Sequence, residues 1–213
     1  MSHPHDQHAE HAAFGPQWWE HHYQERTAGH GTPSPQLVAE TTGLRAGTAL
    51  DAGCGRGADA LWLARQGWQV TAVDVSPTAV SHGEQLAAAE GADVAARVSW
   101  VVADLATWSP LEQYDLVVSQ YVHPAIPFAA FVARLAAAVA PGGTLLVVGH
   151  DHADEHSAAH APAQASIGLD AFTAPLPAEQ WDVQVAETRI RHLDHGSTRK
   201  TFHDLVGKAR RHG

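Results

Sequence analysis

The sequence predicts an α/β protein with a doubly wound, mostly parallel sheet that ends in an antiparallel hairpin. Three observations predict it. Short apolar runs alternate with amphipathic stretches from Thr48 to Val148, and strands alternating with helices imply a parallel sheet covered on both faces. Closely spaced glycines follow the first apolar run in TALDAGCGRGADALWLARQGWQVTAVDVS, Thr48 to Ser76. Near the C-terminus, two β-like stretches flank LDHGS in WDVQVAETRIRHLDHGSTRKTFHDLVGKARR, the pattern of a hairpin.

The elements follow in order. The first sixteen residues are polar and His-rich, and are expected to be mobile; QWWEHHYQER predicts a helix from Gln17 to Arg26. Ser34 is a good N-cap with Pro35 at the first helical position, so a second helix should reach Thr42. Strands are expected at Thr48–Asp51, Gln69–Val73, Val98–Val102, Tyr114–Ser119 and Thr144–Val148, with helices at Ala58–Gln66, Thr78–Ala89 and Phe128–Ala140. Asp151 to Pro175 is rich in His, Ala and Pro and lacks periodicity, which predicts a loop or a lid over an acceptor site.

Composition excludes several functions. The chain has 213 residues, 45% of them hydrophobic, enough for one packed α/β domain and short for two. No apolar run is long enough for a bilayer span and the N-terminus lacks a signal-peptide pattern, so the expected location is cytoplasmic, with no membrane partner. A formal charge of −10 leaves no basic surface for a phosphate backbone, so nucleic acid is not an expected partner. The single cysteine, Cys54, excludes an internal disulfide and has neither the base nor the cationic neighbour that a nucleophilic thiolate needs. The 17 histidines account for a pI of 5.9 despite the acidic excess, since an unperturbed imidazole protonates at about pH 6.5.

Gly53, Gly55 and Gly57 sit between a strand and a helix, where missing side chains let a ligand approach the backbone and the helix N-terminus. Asp74 ends the next strand, about 20 residues beyond Gly53, the place from which a carboxylate accepts hydrogen bonds from ribose hydroxyls. Together they predict a nucleoside cofactor. The third glycine comes one residue too early for the pyrophosphate turn of a dinucleotide site, and Asp51, just before the turn, suits a cationic ligand better than a pyrophosphate.

The segments LDAGCGRGADALWLA, VTAVDVS, VVADLATW, YDLVVSQYVH and LAAAVAPGGTLLVVGHD resemble, in order and spacing, the motifs of class I S-adenosylmethionine-dependent methyltransferases over Leu37 to Asp151. WWEHHY and the glycine segment look most like small bacterial enzymes of the tellurite-resistance and thiopurine methyltransferase type. The resemblance implies a Rossmann-like seven-stranded sheet, S-adenosyl-L-methionine as cofactor and a small-molecule methyl acceptor. It places Asp51, Gly53 and Gly55 at the amino-acid end of the cofactor and Asp74 on the ribose. Asp104 and Leu105 would meet the adenine, Gln120 and Tyr121 the methionine portion and the acceptor, while Trp19 and Tyr23 would help close the pocket. Asp104 could instead cap the next turn, and the Trp pair could be an ordinary aromatic anchor.

Methyl transfer needs positioning more than covalent help. A base is required only where the acceptor's proton must leave early; His123 after strand four is the expected one, with His150 and Asp151 behind it. Two other readings are a cofactor-binding relative with a different reaction and a His-rich metal-binding protein. His152, His156 and His160 share a four-residue spacing with no second shell in view, so no metal site is assigned.

Overall fold

The computed structural model describes residues 15–25, 31–150, 168–195 and 198–213. Its seven strands form one sheet in the order β3-β2-β1-β4-β5-β7-β6. They are β1 (Thr48–Ala52), β2 (Gln69–Asp74), β3 (Val98–Val102), β4 (Tyr114–Gln120), β5 (Val139–His150), β6 (Trp181–His195) and β7 (Thr198–Arg211). β1 to β5 pair in parallel, and β7 enters antiparallel between β5 and β6. The helices are α1 (Pro16–Glu25), α2 (Pro35–Thr41), α3 (Ala58–Arg65), α4 (Pro77–Glu90), the single turn α5 (Ala92–Ala95), α6 (Phe128–Ala137) and α7 (Leu169–Thr173).

Successive side chains of a strand point to opposite faces, so β4 serves two cores. Leu116 and Val118 join Leu37 of α2 and Leu63 of α3 on one face. Val117 joins Phe131 and Leu135 of α6 on the other. Both faces being covered explains why the strands read as nearly unbroken apolar runs.

The boundaries differ from expectation by a residue or two except at β5 and the end of α6. It begins at Val139, where Val139 pairs with Tyr114, and the pairing slips before Leu116 meets Thr144. Helix α6 therefore stops at Ala137, short of the expected Ala140, whose position before Pro141 disfavours helical backbone. Ser34 precedes α2 without a side-chain cap bond; its N–H is given to Asp59 instead.

The expected loop at Asp151–Pro175 is corrected in its last part, residues 151–167 lying outside the described residues. Leu169–Thr173 is a short helix whose Phe172 is fully buried. The Phe172 ring lies against Gly207 of β7, where an added Cβ would come within 2.7 Å of it, and Leu176 is buried in the same cluster. Ala and Pro neighbours hide a core anchor here because one aromatic gives no periodic signal.

Phe172→Ala should therefore lower unfolding stability by about 3–5 kcal/mol, the cost of emptying a filled aromatic site. Denaturant unfolding checks this; an unchanged midpoint would show that the segment is not part of the core.

Candidate active site

The glycine turn is fixed by backbone and contact together. Gly53 has φ +88° and a Cβ there would stand 2.1 Å from Val122; Gly57 has φ +83° and would meet the Trp100 ring at 2.3 Å. Side chains are excluded at both positions, by the left-handed backbone and by the close neighbours. The N–H groups of Gly53 and Cys54 both donate to the Val73 carbonyl, at 2.8 and 2.9 Å, which ties the turn to the end of β2.

Three carboxylates converge behind this turn. Asp74 Oδ2 accepts the Gly55 N–H at 2.8 Å and its Oδ1 accepts the Ser76 N–H at 2.9 Å. Burial raises its pKa against the lowering effect of these bonds. Asp59, in the first turn of α3, accepts from the Ser34 N–H at 2.7 Å and from Gln120 Nε2 at 2.6 Å, and burial pushes it up to about 6. Asp51 is 2% exposed. Burial first, then the neighbouring Asp59 and Asp74, hold its carboxyl well above the usual range, although the Ala60 N–H bonds to it.

Two acceptor atoms in this cluster are buried with no hydrogen-bond partner among the described residues, Asp51 Oδ2 and Gln120 Oε1. Buried acceptors without donors are costly and rare; both call for a hydrogen-bond donor, and the acids around Asp51 favour a cationic one. An α-ammonium group, as at the methionine end of S-adenosylmethionine, fits that description. The sequence reading singled out Asp51 and Gln120 but missed Asp59; its place two residues beyond Gly57, at the start of the helix, was the available signal.

The other site residues fall as follows. Asp74 is 7% exposed, and the cap of α4 is Ser76, whose Oγ accepts the Ala79 N–H. Asp104 Oδ1 accepts the Ala106 N–H at 2.8 Å, so it caps the following turn, and Leu105 packs on the α6 core. Tyr121 has a positive φ of 55° and donates its hydroxyl to Asp204 at 3.0 Å. Burial raises the Tyr121 pKa. His123 stacks on Trp19, ring centroids 6.2 Å apart. The Tyr23 hydroxyl lies over Gly55, and Arg56 Nη2 donates to the Tyr23 carbonyl at 3.0 Å. Burial first, then Asp74, raises the Tyr23 pKa. Cys54 is a buried, packed thiol whose pKa burial raises.

Helix α1 buries no residue of its own and is held across the turn by Glu20. That carboxylate accepts from Ser76 Oγ at 2.6 Å, Thr78 Oγ1 at 2.5 Å and the Thr78 N–H at 3.2 Å. Bonds from Ser76 and Thr78 lower its pKa to about 2. Among the described residues no cluster of three His, Cys, Asp or Glu could hold a metal ion, and no helix is long and apolar enough to cross a membrane. His152, His156 and His160 lie outside the described residues.

Residues 49–143 match the model of a family described as a methyltransferase domain. Residues 49–143 thus carry a methyltransferase domain, and the sheet order and glycine turn are those of the Rossmann-like class I S-adenosylmethionine-dependent methyltransferase fold. Solved neighbours of the fold hold S-adenosylmethionine or S-adenosylhomocysteine. A protein that converts a disulfide bond into a thioacetal group during echinomycin biosynthesis superposes with a TM-score of 0.68 at 25% identity, covering 92% of this chain and 91% of its own. TehB from Haemophilus influenzae gives 0.66 at 18% identity, covering 92% and 66%. Trans-aconitate 2-methyltransferase of Rhizobium meliloti is 33% identical over 159 residues, 68% of this chain and 59% of that protein. The chain spans from 14% to 59% of the length of the curated relatives it matches.

The Glu20 bonds give a pH test. A carboxylate whose folded pKa is depressed contributes stability that is present above its unfolded pKa and lost as pH falls through the folded value. The melting-temperature gap between wild type and Glu20→Gln should be constant above the model-compound pKa of 4.5 and close toward pH 2. A gap independent of pH would contradict this role.

Proposed function

We propose that the chain transfers the methyl group of S-adenosylmethionine to a small-molecule nucleophile by in-line displacement. The observation that carries this reading is the pair of buried, unpartnered acceptors, Asp51 Oδ2 and Gln120 Oε1, beside a glycine turn that leaves room for a ligand. When bound, the cofactor would supply an activated methyl on a positively charged sulfur.

The protein's work is then binding and orientation. Asp51 and Gln120 hold the cationic amino-acid end, with Gly53 and Gly55 alongside. Asp74 keeps one lone pair on each oxygen for ribose hydroxyls after its two backbone bonds. Asp104, with its Oδ1 engaged at Ala106, has Oδ2 for the adenine amine, and Leu105 supplies an apolar wall. Trp19 and Tyr23 on α1 cover the cleft and exclude water, while Tyr121 and His123 bound its acceptor side. A cleft lined by buried carboxylates favours a cationic donor.

Sulfur is the acceptor atom we favour, supported by the disulfide-to-thioacetal chemistry of the similar protein above; selenium, tellurium, nitrogen and oxygen nucleophiles complete the set. A methylation screen over thiols, chalcogen oxyanions, amines and phenols, read by mass spectrometry, tests it. Absence of methylated product from any of them, with the cofactor bound, would refute the reading.

Asp74→Asn should weaken S-adenosylmethionine binding by about 2–4 kcal/mol, the worth of charge-assisted hydrogen bonds, or about thirty- to a thousandfold in affinity. Calorimetry and thermal melting on one variant separate the roles. Unchanged affinity with a lowered melting temperature would make Asp74 a purely structural residue.

A further inference from the structure

A second polar cluster lies on the same sheet face, beyond the cofactor residues. Strand parity sets Asp51, Gln120, His150 and Asp204 on the face of Ala49, Val118, Val148 and Val206, which share one core. Pairing runs Asp51 with Val118, Gln120 with Val148, and His150 with Asp204. These polar residues therefore form a row at the carboxyl end of β1, β4 and β5, continued on β7, where ligands of open α/β sheets bind.

Asp204 is fully buried. It accepts from Arg191 Nε at 2.8 Å and Nη2 at 3.3 Å, from the Tyr121 hydroxyl at 3.0 Å and from Gln36 Nε2 at 3.5 Å. His150 Nδ1 stands 3.7 Å from Asp204 Oδ1, and the imidazole is partly exposed. Its ring packs against Tyr121, centroids 4.6 Å apart, and against Phe202 at 6.1 Å. The Arg191 guanidinium lies over both of those rings. Burying an Arg–Asp pair is costly, yet here it fixes a carboxylate behind an imidazole that reaches solvent one strand beyond Gln120.

We propose that His150 is the general base for a thiol acceptor, with Asp204 as its positioning residue; this rests on the methyl-transfer reading above. The thiol proton passes to Nε2 of His150 as the sulfur lone pair forms the new S–CH3 bond. The bond from methyl to the donor sulfonium breaks, its electron pair stays on the donor sulfur as a neutral thioether, and the imidazolium returns its proton to water. Among the described residues, the charged and titratable groups facing His150 are Asp204 from β7, Arg191 from β6 and Tyr121 after β4. Asp204 stabilises the imidazolium that forms, Arg191 balances that carboxylate, and Tyr121 holds the ring from the side. A carboxylate–imidazole contact of this length tightens when the substrate proton is shared.

The test uses two thiol probes, 2-mercaptoethanol, protonated at neutral pH, and 4-nitrobenzenethiol, ionised at neutral pH. Methylated product is measured with wild type, His150→Gln, Asp204→Asn and His123→Gln, alongside S-adenosylmethionine binding by calorimetry. His150→Gln should lower kcat/KM for 2-mercaptoethanol about a hundredfold or more, in the range of general-base catalysis, and leave 4-nitrobenzenethiol within about threefold. Asp204→Asn should show the same split at smaller size, a pattern that mere loss of structure would not give; should it not fold, His150→Gln alone decides. Equal losses on both thiols in His150→Gln, or the split appearing in His123→Gln instead, would overturn the proposal. Wild type that binds the cofactor but methylates neither thiol would also overturn it, whereas failure to bind the cofactor would overturn the methyltransferase reading itself.

Discussion

Three buried carboxylates, with no cation paired to them among the described residues, are the constraint on which the rest of the site depends. Burial opposes ionisation and raises the pKa of Asp51, Asp59 and Asp74 alike, and at Asp51 the neighbouring Asp59 and Asp74 raise it further. The fold gives each of them a backbone donor, Ala60 in the case of Asp51. Gly55 and Ser76 serve Asp74, and Ser34 serves Asp59, which also draws in Gln120. Asp51 keeps an oxygen without a donor. A protein that needed only a tight strand-to-helix turn would have no reason to hold that arrangement, and a cationic ligand completes it.

The surrounding architecture serves that cluster from both sides. Helix α1 contributes no buried side chain but lays Glu20 on the start of α4 and Tyr23 over Gly55. The turn is thus covered by an element held through polar contacts, which a ligand can open and close at lower cost than a packed one. On the far side, the antiparallel entry of β7 brings Asp204 beside His150. The hairpin thus meets the carboxyl edge twice, with Arg191 from the end of β6 and Asp204 from the first half of β7.

The sheet, its reversed last strands and the glycine turn were legible because each rests on a local pattern: short apolar runs, punctuation and Gly at positions of positive φ. Asp51 and Asp74 were legible from their place at strand ends, and Gln120 from the family resemblance. Asp59 was not, because an acid in the first turn of a helix ordinarily serves the helix dipole at the surface. Asp204 and Arg191 were hidden for a different reason. Their partners Tyr121 and Gln36 lie far away in sequence, and only the strand pairing brings them together. A parity count in FHDLVGKA would have set Asp204 on the face of buried Val206, which is a signal for an inward acid. Phe172 shows the opposite limit, since a single buried aromatic in an Ala- and Pro-rich stretch leaves no period to read.

If this acidic cleft is built to take a cation, cofactor binding should release protons. A carboxyl with a raised pKa holds its proton in the free protein up to that pKa, about 6 for Asp59, and gives it up when a cation arrives. Near pH 6 the cofactor's own amino group is already an ammonium, its ordinary pKa being about 7.7–8.0. Calorimetric titration of S-adenosylmethionine near that pH, in buffers of different ionisation enthalpy, should therefore report net release of protons. Binding with no release, or with uptake, would contradict the account.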